Sequence, residues 1–330
     1  MKYYNIPVFV PHMGCPFDCV FCNQKRITGV GNTKPDVDGI VNEYLKFLPK
    51  EDCLIEIAFF GGSFTGIEEI LQEELLGKAS CYVGKNNIAG IRVSTRPDYI
   101  DTAVLERLLK YKVTTIELGV QSLDEEVLKA SARGHTAEDV EKAVRLIRQY
   151  PFTLGLQMMT GLPLDTPAKS IETARKIIAL KPDIVRIYPT LVIKNTRLEE
   201  MYERGEYNPQ TVDEAVELCH ELVSMFNDAG VKVIRTGLQN TDEISENGSV
   251  IAGPFHSAFG ELVESRVYLE KIVALLDGDD EFFVNPAEVS KAVGQKRYNI
   301  LKIKEKFGKN IKIIPDKNIK KGEIRKRGEQ

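Results

Sequence analysis

The chain has 330 residues, long enough for one main domain and a smaller one. Of these residues 43% are hydrophobic and 28% charged, a composition typical of globular proteins. No apolar run approaches the roughly 18 residues that cross a bilayer. The N-terminal residues contain neither the apolar core nor the cleavage site of a secretory signal. The sequence therefore predicts a cytoplasmic protein with no membrane partner.

The charge is unevenly distributed along the chain. The formal net charge is −4, but residues 291–330 contain 14 Lys or Arg against 4 Asp or Glu, a local charge of +10. A basic end on an acidic body indicates an anionic partner such as RNA, with a merely solvated tail as the alternative. The candidates for phosphate contacts are Arg297, Lys302, Lys304, Lys306 and Lys309.

Short apolar runs alternate with longer amphipathic segments through the first 238 residues. The predicted strands are residues 8–10, 54–60, 90–94, 115–118, 153–159 and 184–188, with 231–234 as a candidate seventh. The predicted helices are residues 37–48, 67–80, 102–111, 137–150, 170–180 and 212–229. Repeated strand–helix units of this length predict parallel strands joined by right-handed crossovers. Six units favour a partial (β/α)6 TIM-like barrel over a full eightfold one, with functional residues at the carboxyl ends of the strands.

The pattern changes in a polar stretch at residues 239–253. The elements predicted after it are a helix at 259–276, a strand at 282–284, a helix at 295–307 and a strand at 311–314. The sequence therefore predicts a core domain over residues 1–238 and a small C-terminal α+β extension over residues 239–330.

Three cysteines directly follow the first predicted strand. Cys15, Cys19 and Cys22 have the spacing C-x3-C-x2-C, so one loop can hold three corners of a [4Fe–4S] cluster. Such a cluster normally has four cysteine ligands, and three therefore leave one iron free. The amino and carboxylate groups of S-adenosylmethionine (SAM) can chelate that iron. The alternative is a structural zinc site completed by His12 or Cys53.

The form and position of this motif resemble those of the radical SAM enzymes, in which Phe21 would be the usual aromatic residue before the last cysteine. The resemblance implies a [4Fe–4S] cluster on Cys15, Cys19 and Cys22, and reductive cleavage of SAM to a 5′-deoxyadenosyl radical. It also implies an electron donor such as flavodoxin or ferredoxin.

Glycines and polar residues at the ends of later strands are the candidates for SAM binding. Gly61 and Gly62 let backbone carbonyls approach a charged amino group, and radical SAM enzymes hold the methionyl amine at this position. Arg133 is suited to a bidentate pair with the SAM carboxylate, a surface ion pair being the alternative. The full set of predicted SAM contacts is Gly61, Gly62, Ser63, Gln121, Ser122, Arg133, Gln157 and Tyr188. The sequence identifies no catalytic residue beyond them.

Four segments resemble the radical SAM half of the catalytic subunit of Elongator, a family that modifies wobble uridines in tRNA. They are STRPDY at 94–99, ELGVQS at 117–122, RGHT at 133–136 and YPTLVI at 188–193. The family usually has a wider gap between its first two cysteines, a basic N-terminal extension and a C-terminal acetyltransferase with a pyrophosphate-binding turn. Residues 239–330 contain no such turn, so we expect no acetyl-CoA domain. The resemblance implies tRNA as the partner, and the alternatives are a small-molecule or protein substrate, or a non-catalytic metal-binding module.

Overall fold

The computed structural model describes residues 2–10, 19–23, 34–238, 244–245, 248–277 and 280–328. The chain folds into two compact units, the first formed by residues 1–210 and 226–255 and the second by residues 211–225 and 256–330. The units thus do not follow chain order, because residues 211–225 group with the C-terminal part of the chain. The boundary placed near residue 239 from the sequence stays a prediction.

The first unit is built on a parallel sheet. Its strands are, in chain order, β1 (Lys2–Val10), β2 (Cys53–Gly61), β3 (Ile88–Thr95), β4 (Val113–Gln121), β5 (Thr153–Thr160), β6 (Ile184–Pro189), β7 (Val192–Ile193), β8 (Lys232–Thr236) and β9 (Val250–Ala252). Seven of them form one sheet in the order β1-β2-β3-β4-β5-β6-β8, and every pairing in it is parallel. The predicted α/β fold is confirmed, and the candidate seventh strand is β8. The short β7 and β9 pair antiparallel.

Helices connect successive strands of this sheet. They are α1 (Val37–Tyr44), α2 (Glu69–Ser80), α3 (Thr102–Lys110), α4 (Glu125–Ala130), α5 (Ala137–Ile147), α6 (Pro167–Ala179) and α7 (Arg197–Glu203). Six of these seven begin at an Asp or Thr whose side chain accepts a hydrogen bond from a backbone N–H of the first turn. Such caps satisfy amide groups that the helix leaves unpaired, and they define the residue at which each crossover begins.

Both faces of the parallel strands are buried. Ile57, Val93 and Leu156 on one face are each at most 1% exposed, and Ala58 and Glu117 on the other face are at most 4% exposed. A parallel sheet covered by helices leaves no solvated face, which explains why its strands read as nearly continuous apolar runs. Charged residues within these strands are therefore exceptional, and they are described with the site below.

The second unit is a small α+β structure. Its elements are α8 (Val212–Asp228, of which the first turns belong to this unit), α9 (Phe259–Leu275), β10 (Glu281–Val284), α10 (Val289–Val293), α11 (Tyr298–Phe307), β11 (Lys312–Pro315) and β12 (Ile324–Lys326). The three strands form a sheet in the order β11-β10-β12. Ile272, Phe282, Ile303 and Ile311 form an apolar cluster in this unit.

The helix predicted at residues 295–307 begins three residues later than expected. Lys296 and Arg297 have φ angles of 51° and 62°, in the left-handed region that a right-handed helix cannot contain. The helix α11 therefore begins at Tyr298. The buried Asn299 stabilises this start, because its side-chain amide donates to the carbonyls of Ser265 and Ala292 at 2.9 and 3.0 Å.

No described helix combines the length and apolarity needed to cross a membrane.

Candidate functional site

The cysteine segment 19–23 lies at the carboxyl edge of the parallel sheet. The guanidinium of Arg133, in the loop after α4, donates from Nη1 to Cys19 Sγ at 3.6 Å and from Nη2 to the carbonyl of Gly119 on β4 at 2.7 Å. The backbone N–H of Val20 donates to the carbonyl of Ser131 at 3.1 Å. Functional residues were predicted at this edge, and the structure places Cys19 there.

Backbone contacts hold this segment in a turn. The N–H of Cys22 donates to the carbonyl of Cys19 at 2.9 Å, and the N–H of Leu198, in α7, donates to the carbonyl of Val20 at 2.8 Å. The side-chain amide of Asn23 donates to two backbone carbonyls between β7 and α7, at 3.1 and 3.3 Å. These contacts therefore hold the backbones of Cys19 and Cys22 close together in a turn.

The environment of Cys19 fits a metal-ligating thiolate. Cys19 is 4% exposed, and its sulfur accepts a hydrogen bond from the guanidinium of Arg133. Thiolate is the form that binds iron in [4Fe–4S] clusters. Within the described ranges no three His, Cys, Asp or Glu side chains converge as a metal site, and Cys15 lies outside those ranges.

The zinc alternative that used Cys53 as a fourth ligand does not fit this geometry. Cys53 opens β2 whereas Gly61 closes it, and a strand of this length places its ends about 26 Å apart. Cys53 therefore lies at the amino edge of the sheet, where its thiol donates to the carbonyl of Pro49 at 3.0 Å. His12, the other proposed zinc ligand, lies outside the described residues.

Arg96 connects the end of β3 to the loop that contains Arg133. Its Nη1 donates to the carbonyl of Arg133 at 2.7 Å, and its other guanidinium nitrogens form a bidentate pair with Asp98 at 2.9 and 2.8 Å. Its backbone N–H donates to Ser63 Oγ, which also lies 2.8 Å from Thr95 Oγ1. Sequence reasoning quoted Arg96 only as part of a motif and missed this role, although the Arg-x-Asp spacing was visible.

Three buried side-chain atoms of residues 131–135 have no hydrogen-bond partner within the described part of the chain. They are Ser131 Oγ, Arg133 Nε and His135 Nδ1. Arg133 is only 8% exposed, and a buried N–H without an acceptor costs about 1–3 kcal/mol. The N–H of Arg133 Nε, a cationic donor close to Cys19, is therefore available to bind an anionic group. Arg133 therefore fits the prediction that it meets a carboxylate of SAM.

His135 is a neutral member of this loop. Its Nε2 lies 3.2 Å from the carbonyl of Val120, an acceptor, so Nε2 holds the ring proton. Burial, together with the charges of Arg133 and Arg96, lowers the pKa of His135 to about 3. The imidazole is therefore uncharged near neutrality, and it adds no further positive charge beside Arg133.

The Gly61–Ser63 segment lies at the same edge as Cys19. The φ of Gly61 is 107°, a value that side chains rarely allow, and the N–H of Gly62 donates to the carbonyl of Val10 at 3.4 Å. Ser63 is buried and bonded to the end of β3, as described above. The three residues thus join the ends of β1, β2 and β3, and their contacts with SAM stay a prediction.

Gln121 and Gln157 form a polar pair at the ends of β4 and β5. The Gln157 amide donates to Gln121 Oε1 at 3.2 Å, and Gln121 has a φ of 66°. A Cβ at Gly119 would lie 2.8 Å from Arg133 Nη2, so this glycine leaves room for the arginine. Ser122 differs from the pair, because its hydroxyl lies 3.4 Å from Thr173 Oγ1 in α6. The structure brings the two glutamines together and directs Ser122 towards α6.

A row of buried charges crosses the sheet next to Tyr188, and sequence reasoning missed its carboxylates, Glu117 and Glu56. Glu117 accepts from Nε and Nη2 of Arg186 at 2.7 and 3.0 Å and also pairs with Arg92. Arg92 in turn donates from Nε to Glu56 at 2.9 Å. The remaining Nη1 of Arg186 donates to the Tyr188 hydroxyl at 3.2 Å. Tyr188 is thus held by a guanidinium, and its predicted contact with SAM stays a prediction.

Glu117 is charged in this row. Burial by itself raises the pKa of a carboxyl, but the charges and N–H groups of Arg186 and Arg92 outweigh burial and hold the pKa of Glu117 below its ordinary value. Gly155 on β5 makes space for it, since a Cβ there would lie 2.8 Å from Glu117 Cγ. The side chain of Glu117 is 5% exposed. These residues fill the inside of the sheet with fixed charges of both signs.

The loop after β5 presents an apolar side chain at the carboxyl edge. Leu164 is 66% exposed and has a φ of 63°, which is unusual for a branched residue. Asp165 holds the loop by accepting from the N–H of Gly161 at 2.8 Å and from the hydroxyl of Ser170 at 2.7 Å. Burial raises the pKa of Asp165. The hydroxyl of Tyr207 donates to the carbonyl of Gly161 at 2.5 Å.

Relatives of known name match mainly the first unit. A tRNA uridine(34) acetyltransferase of Methanocaldococcus infernus is 34% identical over 194 residues, which are 57% of this chain and 34% of that protein. Human Elongator complex protein 3 is 31% identical over 208 residues, 56% of this chain and 37% of that protein. The matches thus span only about a third of the length of these relatives.

Solved structures show the same fold. The archaeal Elp3 of Methanocaldococcus infernus, with its N-terminus deleted, has 25% sequence identity and a TM-score of 0.65 over 82% of this chain and 63% of that chain. Coproporphyrinogen III oxidase (HemN) of Escherichia coli, at 16% identity, has a TM-score of 0.50 over 81% of this chain and 58% of that chain.

Two families match consecutive parts of the sequence. Residues 182–269 match the radical SAM C-terminal domain. Residues 9–177, just over half of the chain, match the radical SAM superfamily. Together with a cysteine turn at the carboxyl edge of a parallel sheet, this match shows that the chain is an enzyme that belongs to the radical SAM superfamily.

Proposed function

We propose that this enzyme binds a [4Fe–4S] cluster on Cys15, Cys19 and Cys22, binds SAM beside it, and modifies tRNA. When bound there, the cluster supplies the electron that cleaves SAM reductively to a 5′-deoxyadenosyl radical. The single observation that supports the site best is the buried contact between Arg133 and Cys19. It places a cationic donor and a metal-ligating residue type side by side at the edge where the superfamily is expected to hold its cofactors.

The residues around the cysteine turn have distinct roles in this proposal. Arg133 Nε donates to the carboxylate of SAM, and the backbone at Gly61 and Gly62 accepts from its amino group. The Gln121–Gln157 pair offers amide groups to the ribose or adenine. The surrounding apolar strands exclude water, which protects a reactive radical from side reactions.

Anaerobic reconstitution tests the cofactor part of the proposal. Purified protein is incubated with iron and sulfide, and the bound iron and sulfide are counted before dithionite and SAM are added. We expect about four irons per chain and 5′-deoxyadenosine as the product. Cys19→Ala should lose both, because one of three ligands is removed. The matched control Cys81→Ala changes an exposed cysteine outside the site and should retain both.

Tetrahedral zinc in the wild-type protein, with no iron or sulfide taken up under anaerobic conditions, would contradict this part. Equal loss of the cluster in Cys81→Ala and Cys19→Ala would also contradict it, since the site would then not depend on the cysteine turn.

The tRNA part of the proposal is supported by the names of the relatives and by lysines in and directly after α11. Relatives named tRNA uridine(34) acetyltransferase align with the first unit. Within the described residues, Lys304 and Lys309 form no ion pair, whereas Lys302 pairs with Glu305 at 3.4 Å. Acetyl transfer is not part of the proposal, because the matches cover only about a third of those proteins.

Binding of tRNA at two salt concentrations tests this part. The triple variant Lys304→Ala, Lys306→Ala, Lys309→Ala should bind at least tenfold more weakly. It should also lower the slope of log affinity against log salt by about 2–3, because each of the three lost phosphate contacts removes about 0.7–0.9 of a released counterion. The matched control changes the exposed Lys46, Lys50 and Lys85 to Ala, at the amino edge of the first unit.

An equal loss of affinity in both triple variants would contradict a role for Lys304, Lys306 and Lys309. Nucleoside mass spectra of tRNA from cells with and without the gene test the substrate itself. A missing modified nucleoside supports tRNA, and identical spectra favour a small-molecule or protein substrate.

A further inference from the structure

The three guanidinium nitrogens of Arg133 have three different environments. Nη2 donates to the Gly119 carbonyl at 2.7 Å, Nη1 donates to Cys19 Sγ at 3.6 Å, and Nε has no partner among the described residues. Because the guanidinium is planar and rigid, the contact of Nη2 with Gly119 also fixes the orientation of Nη1 and Nε. A single side chain thus faces the cysteine sulfur with one edge and leaves another donor for a ligand.

A hydrogen bond to a cluster sulfur stabilises the reduced cluster, which holds the extra negative charge, and so raises the reduction potential. The positive charge of Arg133 acts in the same direction. We propose that Arg133 is a positioning and tuning residue for electron transfer, in addition to its proposed contact with SAM: its donation to Cys19 raises the reduction potential of the bound cluster. This inference rests on the proposed function, because it requires a cluster on Cys19.

Arg96 positions Arg133 for this task. Arg96 is 2% exposed and is held by a bidentate pair with Asp98, so its Nη1 has a fixed direction when it donates to the Arg133 carbonyl at 2.7 Å. The backbone N–H of Arg133 also donates to the carbonyl of Leu128, at 3.0 Å. Both polar groups of the Arg133 backbone are therefore bonded, and its side chain starts from a fixed point.

The test is a redox titration of the reconstituted protein without SAM, followed by electron paramagnetic resonance of the reduced cluster. We compare the wild type with Arg133→Gln, which removes the charge, and Arg133→Lys, which retains it without the fork. At a fixed solution potential, Arg133→Gln should lower the ratio of reduced to oxidised cluster at least tenfold. For one electron this corresponds to a shift of about 59 mV to more negative potential. Arg133→Lys should shift less, in the same direction.

Two further variants separate this role from general effects. Arg175→Gln removes a charge from an exposed arginine of α6 and should leave the potential unchanged. Arg96→Gln should shift the potential in the same direction as Arg133→Gln but by less, because Arg133 keeps its charge and loses only its support. If Arg133→Gln takes up no cluster, the shifts of Arg133→Lys and Arg96→Gln decide.

Variants that hold a full cluster at the wild-type potential would overturn the inference and leave the proposed function intact. A wild-type protein that takes up no iron and sulfide would overturn the proposed function itself. The two failures are therefore distinguishable in one series of preparations.

Discussion

Two groups of paired charges, one in each unit, differ in how far they are exposed to solvent. In the first, Glu117, Arg92 and Arg186 have side chains that are 5%, 11% and 7% exposed, and several hydrogen bonds link them. In the second, Glu281 is 20% exposed and pairs with Lys312 and Arg327, whose side chains are 77% and 71% exposed. An exposed pair contributes about 0–1 kcal/mol, whereas removing one member of a buried pair costs about 3–5 kcal/mol. The same ion-pair chemistry is therefore structural around Glu117 and contributes little around Glu281.

The net charge of the second unit differs from that of its basic C-terminal end. Residues 291–330 have a formal charge of +10, but the second unit as folded contains 16 Lys or Arg and 16 Asp or Glu, a net charge of zero. The acidic residues of 211–225 and 256–290 balance the basic end. A role in RNA binding must therefore depend on where single lysines lie, such as those of α11, and not on the charge of the unit.

The largest effect on stability is expected when the charge of the buried Glu117 is removed. Glu117→Gln removes the negative charge that the buried Arg186 and Arg92 share, so we expect the free energy of unfolding to fall by about 3–5 kcal/mol. Glu281→Gln makes the same change in the second unit and should cost less than about 1 kcal/mol. Chemical denaturation of both variants measures the difference, and equal losses would refute the contrast.

A second effect sharpens the comparison through pH. His135 has a pKa of about 3 in the folded protein and an ordinary value of 6.5. The unfolded chain therefore binds a proton below pH 6.5 that the folded protein does not bind. The contribution of neutral His135 to the free energy of unfolding is fully present above pH 6.5. It is lost as the pH falls towards 3, by about 1.4 kcal/mol per pH unit. At pH 5 the loss is about 2 kcal/mol.

The variant His135→Gln tests this dependence. Gln retains a donor for the Val120 carbonyl but does not titrate, so the difference in unfolding free energy between pH 7.5 and pH 5 should shrink by about 2 kcal/mol. Denaturant titrations at both pH values measure it. An unchanged difference would show that the buried imidazole does not account for the acid sensitivity.

The smallest effect concerns backbone strain, which occurs in both units. Leu164 in the first unit has a φ of 63° and an exposed side chain, so Leu164→Gly relieves strain without losing burial. We expect the free energy of unfolding to rise because strain is relieved. The rise should not exceed about 1 kcal/mol, because the greater entropy of glycine in the unfolded chain offsets part of the gain. Leu164→Val should lower the free energy of unfolding by about the same amount, because a β-branched residue fits this φ poorly. Thermal denaturation that ranks the variants in the opposite order would contradict this account.

Much of the first unit follows from local sequence. The six predicted strands, the candidate seventh and the helices between them are present, because apolar runs and Asp or Thr caps are local signals. The spacing of Cys19 and Cys22 likewise predicted residues on one turn. The short elements β7 and α7, which support that turn, were missed, because two to seven residues are too few for a periodic pattern to show.

The sequence by itself thus determined the parallel α/β fold, the cysteine motif and its place after the first strand. Only the tertiary structure decided that Glu117 pairs with residues 25 and 69 positions away, that Ser122 turns towards α6, and that Arg96 supports Arg133. The physical reason is that strands buried on both faces show no alternation, so the direction of a side chain and its distant partner are invisible in the sequence. Residues 211–225 joined the second unit for the same reason, since long-range packing, and not chain order, defines a compact unit.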